Sequence, residues 1–117
     1  MPPARHILLI DLEDDAAAIA QYEAWHAAGA LPPAIAASIR GADVLAMDIY
    51  RSGNRLVMIM ETGPGFDAKR KAAADTANPA VQAWEAMMDT VQRPLPWALM
   101  GSKWTAAARI FSLAEQP

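Results

Sequence analysis

Residues 44–62, VLAMDIYRSGNRLVMIMET, constrain the fold more than any other stretch of this chain. Two apolar runs flank Ser-Gly-Asn, a turn signal, so the stretch predicts a β-hairpin. In its first strand Leu45, Met47 and Ile49 would point one way and Ala46, Asp48 and Tyr50 the other. Both faces of the hairpin carry apolar residues. An antiparallel sheet with one wet face should instead alternate apolar and polar. Each face of this sheet therefore needs a cover.

The flanking sequence supplies one cover. HILLIDL (6–12) reads as a buried strand. Asp14 or Asp15 can cap the helix that follows, because a carboxylate accepts bonds from free backbone N–H groups. Ile19, Tyr22, Trp25, His26 and Gly29 fall on one side at helical spacing, and Gly29 with Leu-Pro-Pro (31–33) ends or interrupts that helix. Beyond Gly-Pro-Gly (63–65) a helical stretch starts near Phe66 and resets at Asn78-Pro79. Val81, Trp84, Met88 and Val91 then make a buried stripe. KWTAAARIFSL (103–113) reads as a last strand.

The resulting order is β-α-β-β-α-β, the α+β ferredoxin-like arrangement with both helices on one face of a four-stranded sheet. A chain of 117 residues fits one domain, 1–117. With helices on one face only, the other face is expected to pack on a second copy, giving a homodimer.

Composition excludes several functions. The net charge of −3, with no basic patch, argues against nucleic acid as a partner. With no cysteine and only two histidines, His6 and His26, no metal site is expected. No apolar run approaches the roughly 20 residues that span a bilayer, and no secretory leader is evident, so a cytoplasmic protein is expected.

A few residues could carry chemistry. Tyr22 and His26 are four apart, so on a helix their side chains are neighbours. Histidine moves protons near neutral pH, and a tyrosine hydroxyl can orient a substrate oxygen. Trp84 with Glu85 would suit a sugar, the ring against C–H faces and the carboxylate on hydroxyls. Asp48 sits in mid-strand, where Asp is depleted, and could be a further acid–base group. Each has a plainer alternative: Tyr22, His26 and Trp84 as core packing, Glu85 and Asp48 as solvated charges. Trp97 and Trp104 would serve as interface anchors, and His6 is expected to be exposed. No phosphate-binding glycine loop, Ser-His-Asp set or HExxH is present.

The ordered fragments YEAWH, LPP, IY, NRLVMIMET, Phe66, NPAVQAWEAMM and ARIFSL resemble the L-rhamnose mutarotase family over nearly the whole chain. The resemblance implies a ferredoxin-like subunit that dimerises as an α/β barrel and interconverts the anomers of 6-deoxy sugars without a cofactor. It implies that His26 is the catalytic proton donor, that Tyr22 contacts the sugar and that Trp84 lines the pocket. The chain departs from the family's pattern at two sugar-holding positions. Met47 stands where a tyrosine is common, and Trp84-Glu85 stands where a tryptophan pair is common. HILLID and RIFSLAE are similar to the family branch associated with L-fucose catabolism, which makes L-fucose the first expected substrate and L-rhamnose the second. Two other functions share the dimeric α/β barrel: a small monooxygenase or haem-binding enzyme, which would bind haemin with a Soret band, and a non-catalytic ligand-binding module.

Overall fold

The computed structural model describes residues 2–117. It contains the expected hairpin, β2 (Val44–Ser52) and β3 (Arg55–Thr62). Gly53 takes a positive φ of 59° in the turn, a position open to glycine at no steric cost. Asn54 pins the hairpin tip to the end of β1 (Ala4–Leu12): its side-chain amide donates to the Leu12 carbonyl at 2.9 Å. The β3 strand pairs with β1 from Ala4↔Thr62 to Asp11↔Arg55, and with β2 on its other side. A register shift between Val44 and Ala46 displaces Leu45, which is exposed rather than aligned with Met47 and Ile49.

The helices begin where their caps predict. Asp15 accepts from the Ala18 N–H at 2.9 Å to open α1 (Ala16–Trp25). Asp67 opens α3 (Ala68–Ala77) in the same way through the Arg70 N–H. Asn78 accepts from Ala80 and Val81 to open α4 (Pro79–Asp89), with Pro79 in the first turn, where its missing N–H costs nothing. Leu31-Pro32-Pro33 does more than interrupt α1. It starts a further helix, α2 (Pro33–Gly41), for the same reason.

The Gly-Pro-Gly segment has a packing role besides turning the chain. Asp43, itself at a positive φ of 65°, accepts from the Gly65 N–H at 2.7 Å. A Cβ at Gly63 would lie 2.3 Å from its carboxylate oxygen, so a side chain there would have to push Asp43 out of this position.

The helices cover one sheet face. Ile10, Leu12 and Leu56, each at most 1% exposed, meet Tyr22 of α1, Met88 of α4 and Val91 in one core cluster. Strand alternation sends Ile7, Leu9, Val57 and Ile59 to the opposite face, which no helix covers. There Arg5 pairs with Glu61 and Arg55 with Asp11, framing the apolar centre with charge.

The expected last strand is the main correction. Only Thr105–Ala106 (β5) and a second short strand, Gln92–Arg93 (β4), pair with the edge of β1. The sheet order is β2-β3-β1-β4, with β5 beside β4 on the β1 edge, which keeps the ferredoxin-like order. Continuing the β5 register (Leu8↔Ala106) would set Arg109 opposite Arg5, and like charges directly opposite are unfavourable. Arg5 instead holds Glu61 and Arg109 holds Glu115, while Ile110, Phe111 and Leu113 stay exposed. Among the described residues no helix is long and apolar enough to cross a membrane.

Candidate functional site

A cavity of about 450 Å³ opens between the helix-covered sheet face and the helices. Its wall includes Tyr22, His26, Met47, Asp48, Trp84 and Glu85, the residues expected from the sequence to act on or hold a sugar. Its volume suits a single small organic molecule.

His26 is the C-cap of α1 and not a residue inside the helix. The helix ends one residue earlier, and the chain turns away through Gly29 (φ 80°). The cap position still lets the imidazole fold back along the helix. Its Nδ1 lies 2.7 Å from the Tyr22 carbonyl oxygen. A carbonyl can only accept, so in this bond Nδ1 carries the proton. Nε2 is then the free lone pair, and it makes no hydrogen bond among the described residues. The ring stacks on Tyr22, centroids 4.0 Å apart, and meets Trp84 edge-on at 5.3 Å. Burial pulls the His26 pKa below its ordinary value, and the Tyr22 carbonyl only partly offsets this. His26 is therefore neutral at neutral pH, with a base aimed by its neighbours.

Tyr22 is 3% exposed. Burial pushes its hydroxyl up to about 12; the Gln92 side chain pulls against this and the Glu85 charge adds to it. The hydroxyl stays protonated at any physiological pH and can act as a donor. The Tyr22 ring belongs to the core cluster and also lines the cavity.

Glu85 is not a free carboxylate. Lys103, from the loop before β5, pairs with both Glu85 and Asp89 of α4. Burial lowers the Lys103 pKa, but the two carboxylates outweigh this and the net shift is upward. Glu85 is thereby fixed at the cavity wall as an acceptor. Met47 and Ile49 present side chains to the helix side of the sheet. Asp48 alternates with them, so its side chain belongs to the open face and is exposed, although the residue borders the cavity.

Trp104, expected at an interface, packs on the core and lines the cavity. Trp97 is 61% exposed, with the Arg55 guanidinium 5.5 Å above its ring at the open sheet face. His6 is half-buried and hydrogen-bonded to Thr62 at 3.0 Å, not exposed. Sequence reasoning missed Ser38, Lys71, Asp75, Gln92 and Lys103. The Lys71/Asp75 spacing of four on a helix was the one visible signal. Among the described residues no cluster of three or more His, Asp or Glu side chains is placed to hold a metal ion.

Comparison with known proteins supplies the last finding. Residues 5–113 match the family described as L-rhamnose mutarotase. The chain is also 46% identical over 115 residues to the L-fucose mutarotase of Xanthomonas campestris pv. campestris, covering 98% of this chain and 92% of that relative.

Proposed function

The chain belongs to the L-rhamnose mutarotase family, and from that premise we propose that it interconverts the α and β anomers of a 6-deoxy-L-sugar in the cytoplasm, L-fucose before L-rhamnose. The observation that carries the catalytic part is the His26 imidazole, with Nδ1 tied to Tyr22 and Nε2 free at a cavity of monosaccharide size. The preference for L-fucose rests on the 46% identity to an L-fucose mutarotase. It also rests on Met47 and Glu85 at the two positions where the chain departs from the rhamnose pattern.

Opening the ring requires one proton taken from the anomeric hydroxyl and one delivered to the ring oxygen. His26 is neutral at rest, so Nε2 takes the hydroxyl proton while the C1–O1 double bond forms and the C1–O5 bond breaks. The electron pair leaves with O5, which is more basic than a phenolate, so the Tyr22 hydroxyl can protonate it. Rotation about C1–C2 turns the aldehyde over. Closure runs the same transfers backwards: protonated His26 gives its proton to O1, and Tyr22 recovers its own from O5. His26 is thus the proton donor in the closing direction and the acceptor in the opening one. Trp84 covers the C–H face of the sugar, Glu85 accepts from a hydroxyl, and Met47 sets the shape of the floor. Asp48, with its side chain on the open face, takes no part in these transfers. Positioned acid–base groups give about 10²–10⁴-fold acceleration, the scale this already facile reaction needs.

We propose in addition that the protein is a homodimer, closed through the uncovered sheet face as an α/β barrel. The support is the apolar centre of Ile7, Leu9, Val57 and Ile59, together with the exposed Ile110, Phe111 and Leu113.

Saturation-transfer NMR on L-fucose, L-rhamnose and D-galactose tests the activity. Enzyme-dependent exchange, fastest on L-fucose, is the expected outcome. Exchange at the buffer rate on all three sugars would remove the mutarotase reading.

A further inference from the structure

The far wall of the same cavity holds a polar cluster that the catalytic account leaves unused. Ser38 comes from α2, Lys71 and Asp75 from α3, and all three line the cavity. The Lys71 ammonium donates to the Ser38 hydroxyl at 3.0 Å and also to Asp75 Oδ1. The Ser38 hydroxyl donates to the same Oδ1 at 3.3 Å. The Lys71 and Asp75 side chains are only 20% and 29% exposed. An ion pair that served only the surface of a helix would lie in open water, where it contributes little. This one is turned inward, beside the apolar side chains of Ile35, Ile39 and Val81.

Its valences are not all used. An ammonium has three donors, and two are engaged here. Asp75 spends Oδ1 on both Lys71 and Ser38, whereas Oδ2 accepts no bond among the described residues. The cluster therefore offers one charged donor and one charged acceptor, side by side and with almost no net charge. A neutral ligand with two adjacent hydroxyls matches that pattern: one hydroxyl gives its proton to Oδ2, and the other receives an N–H from Lys71. Charge-assisted bonds of this kind are the strong ones.

We propose that Lys71 and Asp75 form a diol clamp that grips the C3 and C4 hydroxyls of the sugar, with Ser38 holding the two side chains in register. The inference rests on the mutarotase reading. A pyranose whose C1 and ring oxygen lie at His26 turns C3 and C4 away from it, toward the remaining polar wall. C4 is one of the two carbons at which 6-deoxy-galacto and 6-deoxy-manno sugars differ, so the clamp also helps to select between L-fucose and L-rhamnose.

The test compares L-fucose with its 3-deoxy and 4-deoxy analogues by the same NMR exchange assay. With the wild-type protein, removing a gripped hydroxyl should lower kcat/KM by about 10- to 100-fold. Lys71→Met and Asp75→Asn should lose a similar factor on L-fucose, chiefly through KM, and should no longer distinguish L-fucose from the deoxy sugars. Lys71→Arg should restore part of the loss, because it keeps a charged donor. A thermal melt accompanies each variant, since the cluster also joins α2 to α3. Should a variant fail to fold, the wild-type comparison still decides. Wild-type exchange of the deoxy sugars as fast as L-fucose would overturn the clamp and leave the mutarotase reading standing. No exchange on any sugar would instead defeat the mutarotase reading itself.

Discussion

The two faces of one sheet do different work in this molecule. On the helix side, Ile10, Leu56 and Met58 are buried and the helices arch over them to leave a cavity. On the other side, Leu9, Val57 and Ile59, the sequence neighbours of those residues, lie half-covered between two ion pairs. Both faces carry an apolar centre, but the charged residues Arg5, Asp11, Asp48, Arg55 and Glu61 all fall on the open one. The rest of the difference lies in what the remaining chain can reach. Four helices suffice for one face and its cavity, and the C-terminal segment that might have covered more leaves the sheet after Ala107, whose N–H makes the last bond to β1.

Mutations on adjacent residues of β3 can break this contrast. Leu56→Ala empties a fully buried site and should cost about 2–5 kcal/mol at any protein concentration, read by chemical denaturation. Val57→Asp, one residue on, should leave the subunit folded and shift sedimentation from dimer to monomer. Equal losses of subunit stability at both positions would contradict the account of two unlike faces.

Smaller effects sharpen the same comparison. Activity on the cavity side should fall as His26 is protonated. Since burial lowers the His26 pKa, kcat/KM should hold down to about pH 6.5, the ordinary histidine value, and decline only below it. The sign for stability agrees: the unfolded histidine binds its proton first, so the His26 contribution is present above that pH and lost as pH falls. A decline already under way at pH 7.5 would argue against a neutral base. Lys103→Met frees Glu85 and should raise KM severalfold with little change in kcat, measured by the exchange assay. Asp15→Ala, at the exposed start of α1, should cost about 1 kcal/mol through the lost cap and leave exchange rates unchanged.

Local signals made much of this structure legible. Asp15, Gly53 and Asn78-Pro79 each act on their own few residues, and each placed an element boundary. The same short reach let YEAWH and Trp84-Glu85 mark one cavity, because each lies on a single helix or at its end. Contacts between distant segments were not legible. Leu-Pro-Pro reads as a break as well as a helix start, and neither reading tells that α2 brings Ser38 to Lys71, 33 residues away. The Lys103 reach to Glu85 joins a loop to a helix in the same way. In the last strand, apolar β-formers suggested pairing, but the register sets Arg109 against Arg5, a conflict visible only once β1 and β5 are aligned. His26 was expected within the helix; as its cap it keeps the Tyr22 neighbour but gains the freedom to fold back onto the Tyr22 carbonyl.

The central claim is that a neutral His26 moves the proton at the anomeric centre. Saturation-transfer NMR on L-fucose with His26→Ala tests it most directly, with a thermal melt of the same sample as control. The account predicts an exchange rate reduced at least 100-fold on a protein that still melts cooperatively. Wild-type exchange by a folded His26→Ala protein would contradict it.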